Sequence, residues 1–86
     1  MDIGIEISLY PLKDDYVPAI HQFLAGLNAR RGLKVVTNSM STQVFGSFDE
    51  VMDVLRATLG ASFGQLAAAS ERAVFVMKII GPLPGA

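Results

Sequence analysis

Residues 3–15 read IGIEISLYPLKDD. Apolar side chains alternate at Ile3, Ile5, Ile7 and Leu9, with Gly4, Glu6, Ser8 and Tyr10 between them. Side chains of a strand point alternately to its two faces. This segment is therefore a strand over about residues 3–10, apolar on one face and mixed on the other. Pro11 ends it, and Asp14 or Asp15 can cap a following helix. Glu6, Ser8 and Tyr10 are groups that orient a small ligand without reacting with it.

Downstream, Tyr16, Val17, Ile20, Phe23, Leu24 and Leu27 recur at the i, i+3, i+4, i+7 spacing of one helical face. The spacing predicts a helix over residues 15–31. Pro18 sits in its first turn, where a missing N–H costs little, and Gly32 is a natural stop. A β-branched run predicts a second strand over 33–38, and Asn38-Ser39 is turn-forming. A third strand follows over 41–45, closed by Gly46. The short connection makes the two an antiparallel hairpin. Ser47 followed by Glu50 forms a capping box at the start of a second helix. Its core stripe reads Val51, Met52, Leu55, Leu59, Phe63 and Leu66, and it ends near Ala69. A fourth strand spans 72–80, stopped by the Gly-Pro-Leu-Pro-Gly-Ala tail.

The order β-α-β-β-α-β, with right-handed crossovers, predicts an α+β, ferredoxin-like sandwich. Four antiparallel strands carry two helices on one face, and residues 1–86 form a single domain. Taking strand one as parallel to strand three and antiparallel to strand two separates its end from the strand two–three turn. On that reading the polar residues at the two places need not meet within one monomer.

Strand four is apolar in both phases, with Val74, Val76 and Ile80 on one and Phe75, Met77 and Ile79 on the other. A strand that faced water on one side would alternate. The sheet face away from the helices is therefore expected to be covered, by another subunit. The outer side of helix two changes from Asp49, Glu50, Asp53 and Arg56 to Ala57, Gly60, Ala61, Gly64 and Ala68. This stripe is either a plain alanine-rich surface or an approach for another element. Lys78 either snorkels to the sheet edge as protection against aggregation, or faces a ligand or a neighbour's Glu6.

The chain has 86 residues, 51% of them hydrophobic, and a mean hydropathy of +0.43. No apolar run approaches the roughly 20 residues that span a bilayer. The start lacks a signal-peptide pattern, so a cytoplasmic protein is expected. Seven basic residues against eight acidic ones leave no footprint for nucleic acid. With no cysteine and one histidine, His21, disulfides, thiolate catalysis and cysteine or histidine metal clusters are excluded. No phosphate loop and no nucleophile–base constellation is evident. His21 and Glu6 are the only acid–base candidates, and the expectation is no enzyme and no cofactor.

The runs Ile7-Ser8-Leu9-Tyr10-Pro11-Leu12, Asp14-Asp15-Tyr16, Asn38-Ser39-Met40-Ser41-Thr42-Gln43-Val44-Phe45-Gly46 and Val51-Met52-Asp53-Val54 together resemble the YkoF-type proteins. The resemblance implies a soluble, non-catalytic protein that binds thiamine or its hydroxymethylpyrimidine moiety, linked to uptake or salvage. It implies Ser8, Tyr10, Asn38, Ser41 and Thr42 as ligand-binding residues. Tyr10 would stack on or flank the pyrimidine. Asn38, Ser41 and Thr42 would bond its ring nitrogens and amino group. Glu6 would answer the positive thiazolium. YkoF-type chains carry two such domains in tandem, so a homodimer or higher homo-oligomer is expected here. Strand four departs from the family pattern through Phe75, Val76, Met77 and Lys78. That departure favours the neutral pyrimidine, or another ligand, over the thiamine cation. The alternative function is a regulatory or structural oligomeric domain that acts through a protein partner.

Overall fold

In the computed structural model, which describes residues 1–12, 15 and 17–84, strand β1 (Asp2–Pro11) lies inside a four-stranded sheet. Helix α1 (Val17–Asn28), β2 (Lys34–Thr37), β3 (Thr42–Ser47), α2 (Phe48–Ala68) and β4 (Ala73–Leu83) follow. The strand order is β2-β3-β1-β4, with every neighbouring pair antiparallel. This is the ferredoxin-like sandwich with both helices on one face. The alternation in β1 sorts as its chemistry demands. Ile3, Ile5 and Ile7 are buried with Phe23, Leu27, Val44, Val51, Val54 and Leu55. Gly4, Glu6, Ser8 and Tyr10 belong to the opposite, open face. Among the described residues no helix is long and apolar enough to cross a membrane.

One expectation is overturned. Strand β1 pairs antiparallel with β3, in the register Ile3↔Gly46 through Ile7↔Thr42. The reason is connectivity. Each crossover helix returns the chain to its starting end, so β1 and β2 run the same way and the hairpin reverses β3. The end of β1 therefore lies beside the β2–β3 turn.

Helix α1 is shorter than its periodicity predicts. It stops at Asn28, whose side-chain amide donates to the Leu24 carbonyl at 2.8 Å, and Gly32 takes a positive φ of 89° in the turn beyond. The cap candidate Asp14 and the apolar position Tyr16 lie outside the described residues. Helix α2 starts as read. Ser47 is its N-cap, and its hydroxyl accepts from the Glu50 N–H at 3.2 Å. The reciprocal half of the capping box gives way to another contact, because the Glu50 carboxylate lies over Gly32. The buried stripe of α2 is rotated from the predicted one. It comprises Val51, Val54, Leu55, Thr58 and Leu66, while Met52 and Phe63 are exposed.

Helix α1 comes close to this stripe at Gly26. A Cβ there would meet the Thr58 methyl at 2.9 Å, and Thr58 is buried and stiff at χ1. Gly26→Ala is therefore expected to destabilise the protein. The helix-propensity gain of about 1 kcal/mol is outweighed by an overpacking cost of about 1–3 kcal/mol. Thermal unfolding checks this, and adding Thr58→Ala should restore the lost stability.

Strand β4 continues through Gly81 and Pro82 to Leu83, three residues past the expected stop. A one-residue irregularity opposite residues 2–4 absorbs the extra length. Proline is tolerated because β4 is an edge strand, where an absent N–H breaks no ladder bond.

Candidate functional site

The sheet ends unevenly where β1 meets the β2–β3 turn. Pairing between β1 and β3 stops at Ile7↔Thr42, while pairing with β4 continues to Pro11↔Ala73. Along residues 8–10 the side of β1 that faces away from β4 thus has no strand beside it. The turn bends around this gap and α1 roofs it. The result is a cleft of about 220 Å³. Its apolar walls are Ile7, Leu9, Ile20, Phe23 and Leu24, and its polar rim is Ser8, Tyr10, Thr37, Asn38, Ser41 and Thr42. Five predicted residues, Ser8, Tyr10, Asn38, Ser41 and Thr42, line this one cleft. The corrected strand direction is what brings them together.

Their roles differ. Asn38 builds the turn. Its Oδ1 accepts from the N–H groups of Met40 at 2.8 Å and Ser41 at 3.1 Å, and its own N–H donates to the Ser41 carbonyl at 3.1 Å. This Asx turn occupies the side-chain oxygen and leaves the amide NH₂ for a ligand. Thr42 is buried, and its hydroxyl shares a hydrogen bond with that of Thr37 at 3.0 Å. That pair puts a polar spot against the apolar wall. Tyr10 is 55% exposed, which leaves its ring at the mouth of the cleft.

Glu6 is not part of the cleft lining. It sits on the open sheet face, opposite Gln43 on β3 and Lys78 on β4. Its carboxylate accepts from the Ser41 hydroxyl at 3.0 Å and lies 3.9 Å from the Lys78 ammonium. Gln43 donates to the Ser41 oxygen at 3.3 Å. The chain Gln43–Ser41–Glu6–Lys78 thus runs across three strands and holds the turn to the sheet. Lys78 meets the Glu6 of its own chain, and it does not line the cleft. Nor do Phe75, Val76 and Met77, so the residues that depart from the family pattern leave the cleft's walls alone.

Sequence reasoning missed the α1 wall, Ile20, Phe23 and Leu24. Their helical spacing reads as core, and only the packing angle of α1 exposes part of it. Thr37, at the end of β2, joins the rim through its hydroxyl contact with Thr42. His21 is exposed on α1 and is not among the residues of the α1 wall.

Comparison with known proteins accords with the fold. Among curated protein sequences, none matches the chain. Twelve chains of solved structures match, three of them as follows. A protein from Streptococcus pneumoniae is 26% identical, with a TM-score of 0.81, covering 96% of this chain and 89% of that one. A hypothetical protein from Methanocaldococcus jannaschii is 23% identical, with a TM-score of 0.77, covering 99% and 84%. A proposed thiamine biosynthesis/salvage protein from Thermotoga maritima is 19% identical, with a TM-score of 0.78, covering 95% and 85%. The sequence profile of the YKOF-related family matches residues 2–79, nearly the whole chain. This chain belongs to the YKOF-related family.

Proposed function

We propose that the protein is a non-catalytic binder of thiamine or its hydroxymethylpyrimidine precursor, working in the cytoplasm in uptake or salvage. The observation that carries this reading is the cleft at the end of β1, where Ser8, Asn38, Ser41 and Thr42 converge on apolar walls. A few polar groups set in an apolar concavity are what a small heteroaromatic ring requires. The volume of about 220 Å³ is below the roughly 300–1,000 Å³ of sites for drug-sized ligands. One substituted ring fills it. The pyrimidine enters the cleft, bonds the Thr42 hydroxyl and the Asn38 amide, and leaves the thiazolium of thiamine at the mouth beside Tyr10. A salvage role for the Thermotoga maritima neighbour is in keeping with this reading.

Calorimetric titration with hydroxymethylpyrimidine and, separately, with thiamine tests it. Saturable binding near one ligand per chain is expected. Thr42→Val, which keeps the shape and removes the hydroxyl, should weaken it about tenfold, the equivalent of about 1.4 kcal/mol. Absence of heat with both compounds, from folded protein, refutes the reading. It would favour instead an assembly domain that acts through a protein partner, a role for which the exposed apolar surface of β4 speaks.

A further inference from the structure

Met40 stands at the tip of the β2–β3 turn and is 83% exposed, the most exposed of the chain's four methionines. A single apolar side chain in water is ordinary on a protein surface. This one differs in its position, because it lines the cleft at the end of β1, as Tyr10 does. Among the described residues that line it, these two are the large apolar side chains left mostly in water. They come from different elements, Tyr10 from β1 and Met40 from the turn that bends around the gap.

The turn itself makes no use of the Met40 side chain. It uses the Met40 N–H, which donates to Asn38 Oδ1 at 2.8 Å. The next residue, Ser41, anchors the turn. Its N–H donates to the same Asn38 oxygen at 3.1 Å, and its hydroxyl donates to Glu6 at 3.0 Å. The backbone at Met40 is thus held, while the long thioether side chain is free to choose among rotamers. A small polar residue would serve such a turn equally well and would cover nothing.

We infer that Met40 supplies the missing wall of the cleft and folds over a bound heteroaromatic ring, across from Tyr10. This rests on the reading of the cleft as a pyrimidine site and adds a contact residue to it. Ile7, Leu9, Ile20, Phe23 and Leu24 cover the inner part of a ring, and Met40 covers the part that would otherwise stay wet. Closure removes apolar surface of both ring and side chain from water. It also sets a polarizable sulfur against an aromatic system, a favourable contact. An unbranched side chain suits the task, because it adapts to the ring without moving the turn.

The assignment has a chemical consequence. Hydrogen peroxide oxidises a thioether by transferring an oxygen atom to sulfur. The O–O bond breaks, the S–O bond forms, sulfur is oxidised and the peroxide is reduced to water. The sulfoxide is polar and no longer suits an apolar ring. Met40 of the empty cleft is open to this reaction, and Met40 of the filled cleft is shielded from it.

Peroxide footprinting of the full chain tests the inference, with hydroxymethylpyrimidine absent or saturating and each sulfoxide counted by mass spectrometry. Met1 is the reference, since it is 73% exposed and lies outside the cleft. The ligand should slow oxidation of Met40 several-fold and leave that of Met1 unchanged. In calorimetry Met40→Ala should weaken binding about fivefold to tenfold, the upper range of a sulfur–ring contact. Met40→Leu should recover most of the loss. Met40 is too exposed to support the fold, so the thermal midpoints of both variants should match that of the unmodified chain. Binding that leaves Met40 oxidising at its free rate overturns the inference and leaves the pyrimidine reading standing. So does undiminished binding by Met40→Ala. Absence of binding by the unmodified chain overturns both.

Discussion

Replacing Phe23 by alanine is expected to lower the thermal midpoint by roughly 15–30 °C, the largest effect of any single truncation proposed for this chain. Phe23 is 3% exposed. Its ring lies 5.1 Å from that of Phe75, at a tilt of 53°, so it ties α1 to β4 as well as to β1. Removing a buried phenyl group costs about 3–5 kcal/mol in lost transfer energy and residual cavity. A domain of this size commonly has only about 5–15 kcal/mol in total. Helix α1 brings just one other fully buried residue, Leu27, so little else holds it down. Phe63 offers the comparison. Its ring lies at a similar 5.2 Å from Phe75, yet half of it is in water. Phe63→Ala should cost under about 1.5 kcal/mol, since its burial and aromatic contact are both partial. Denaturant unfolding of the two variants decides the matter. Equal losses would mean that α1 does not form the layer described above.

Ile20→Arg is expected to weaken hydroxymethylpyrimidine binding at least 100-fold, equivalent to about 2.7 kcal/mol, while changing stability little. Ile20 is half-buried on the α1 wall of the cleft. A longer side chain there fills the space the ring needs. Its charge would also have to shed water against Leu9 and Leu24, or hold the cleft open and wet. A folded protein with unimpaired binding would place the ligand elsewhere. The neighbouring change His21→Ala supplies the control. His21 is exposed, and its removal should leave binding and stability as they were. Binding lost with it would place the ligand against the His21 side of α1 instead.

Much of the architecture was legible because it depends on periodicity alone. The period-two alternation in β1, the Ser47 cap and the turn at Asn38 are local chemistry. Each residue states its preference whatever lies across the sheet. The stripe of α2 was misjudged because Met52 and Phe63 are as apolar as Val54 and are distinguished only by what they face. On the buried side Thr58 meets α1 where Gly26 leaves room for it.

The candidate site divides in the same way. Ser8, Tyr10, Asn38, Ser41 and Thr42 could be named from their motifs, and the sequence by itself determined the elements that carry them. Whether they meet depended on strand direction. That follows from the element order itself: a helix between two strands returns the chain to its starting end, so β1 and β2 run the same way and the hairpin turns β3 against both. The register of β1 against β4 sets Lys78 beside the Glu6 of its own chain, outside the cleft. Tertiary structure alone decided the apolar α1 wall and the two exposed phases of β4. Burial is a relation between elements, and a leucine or isoleucine reads the same in sequence whether it faces a core, a cleft or a second copy of the chain.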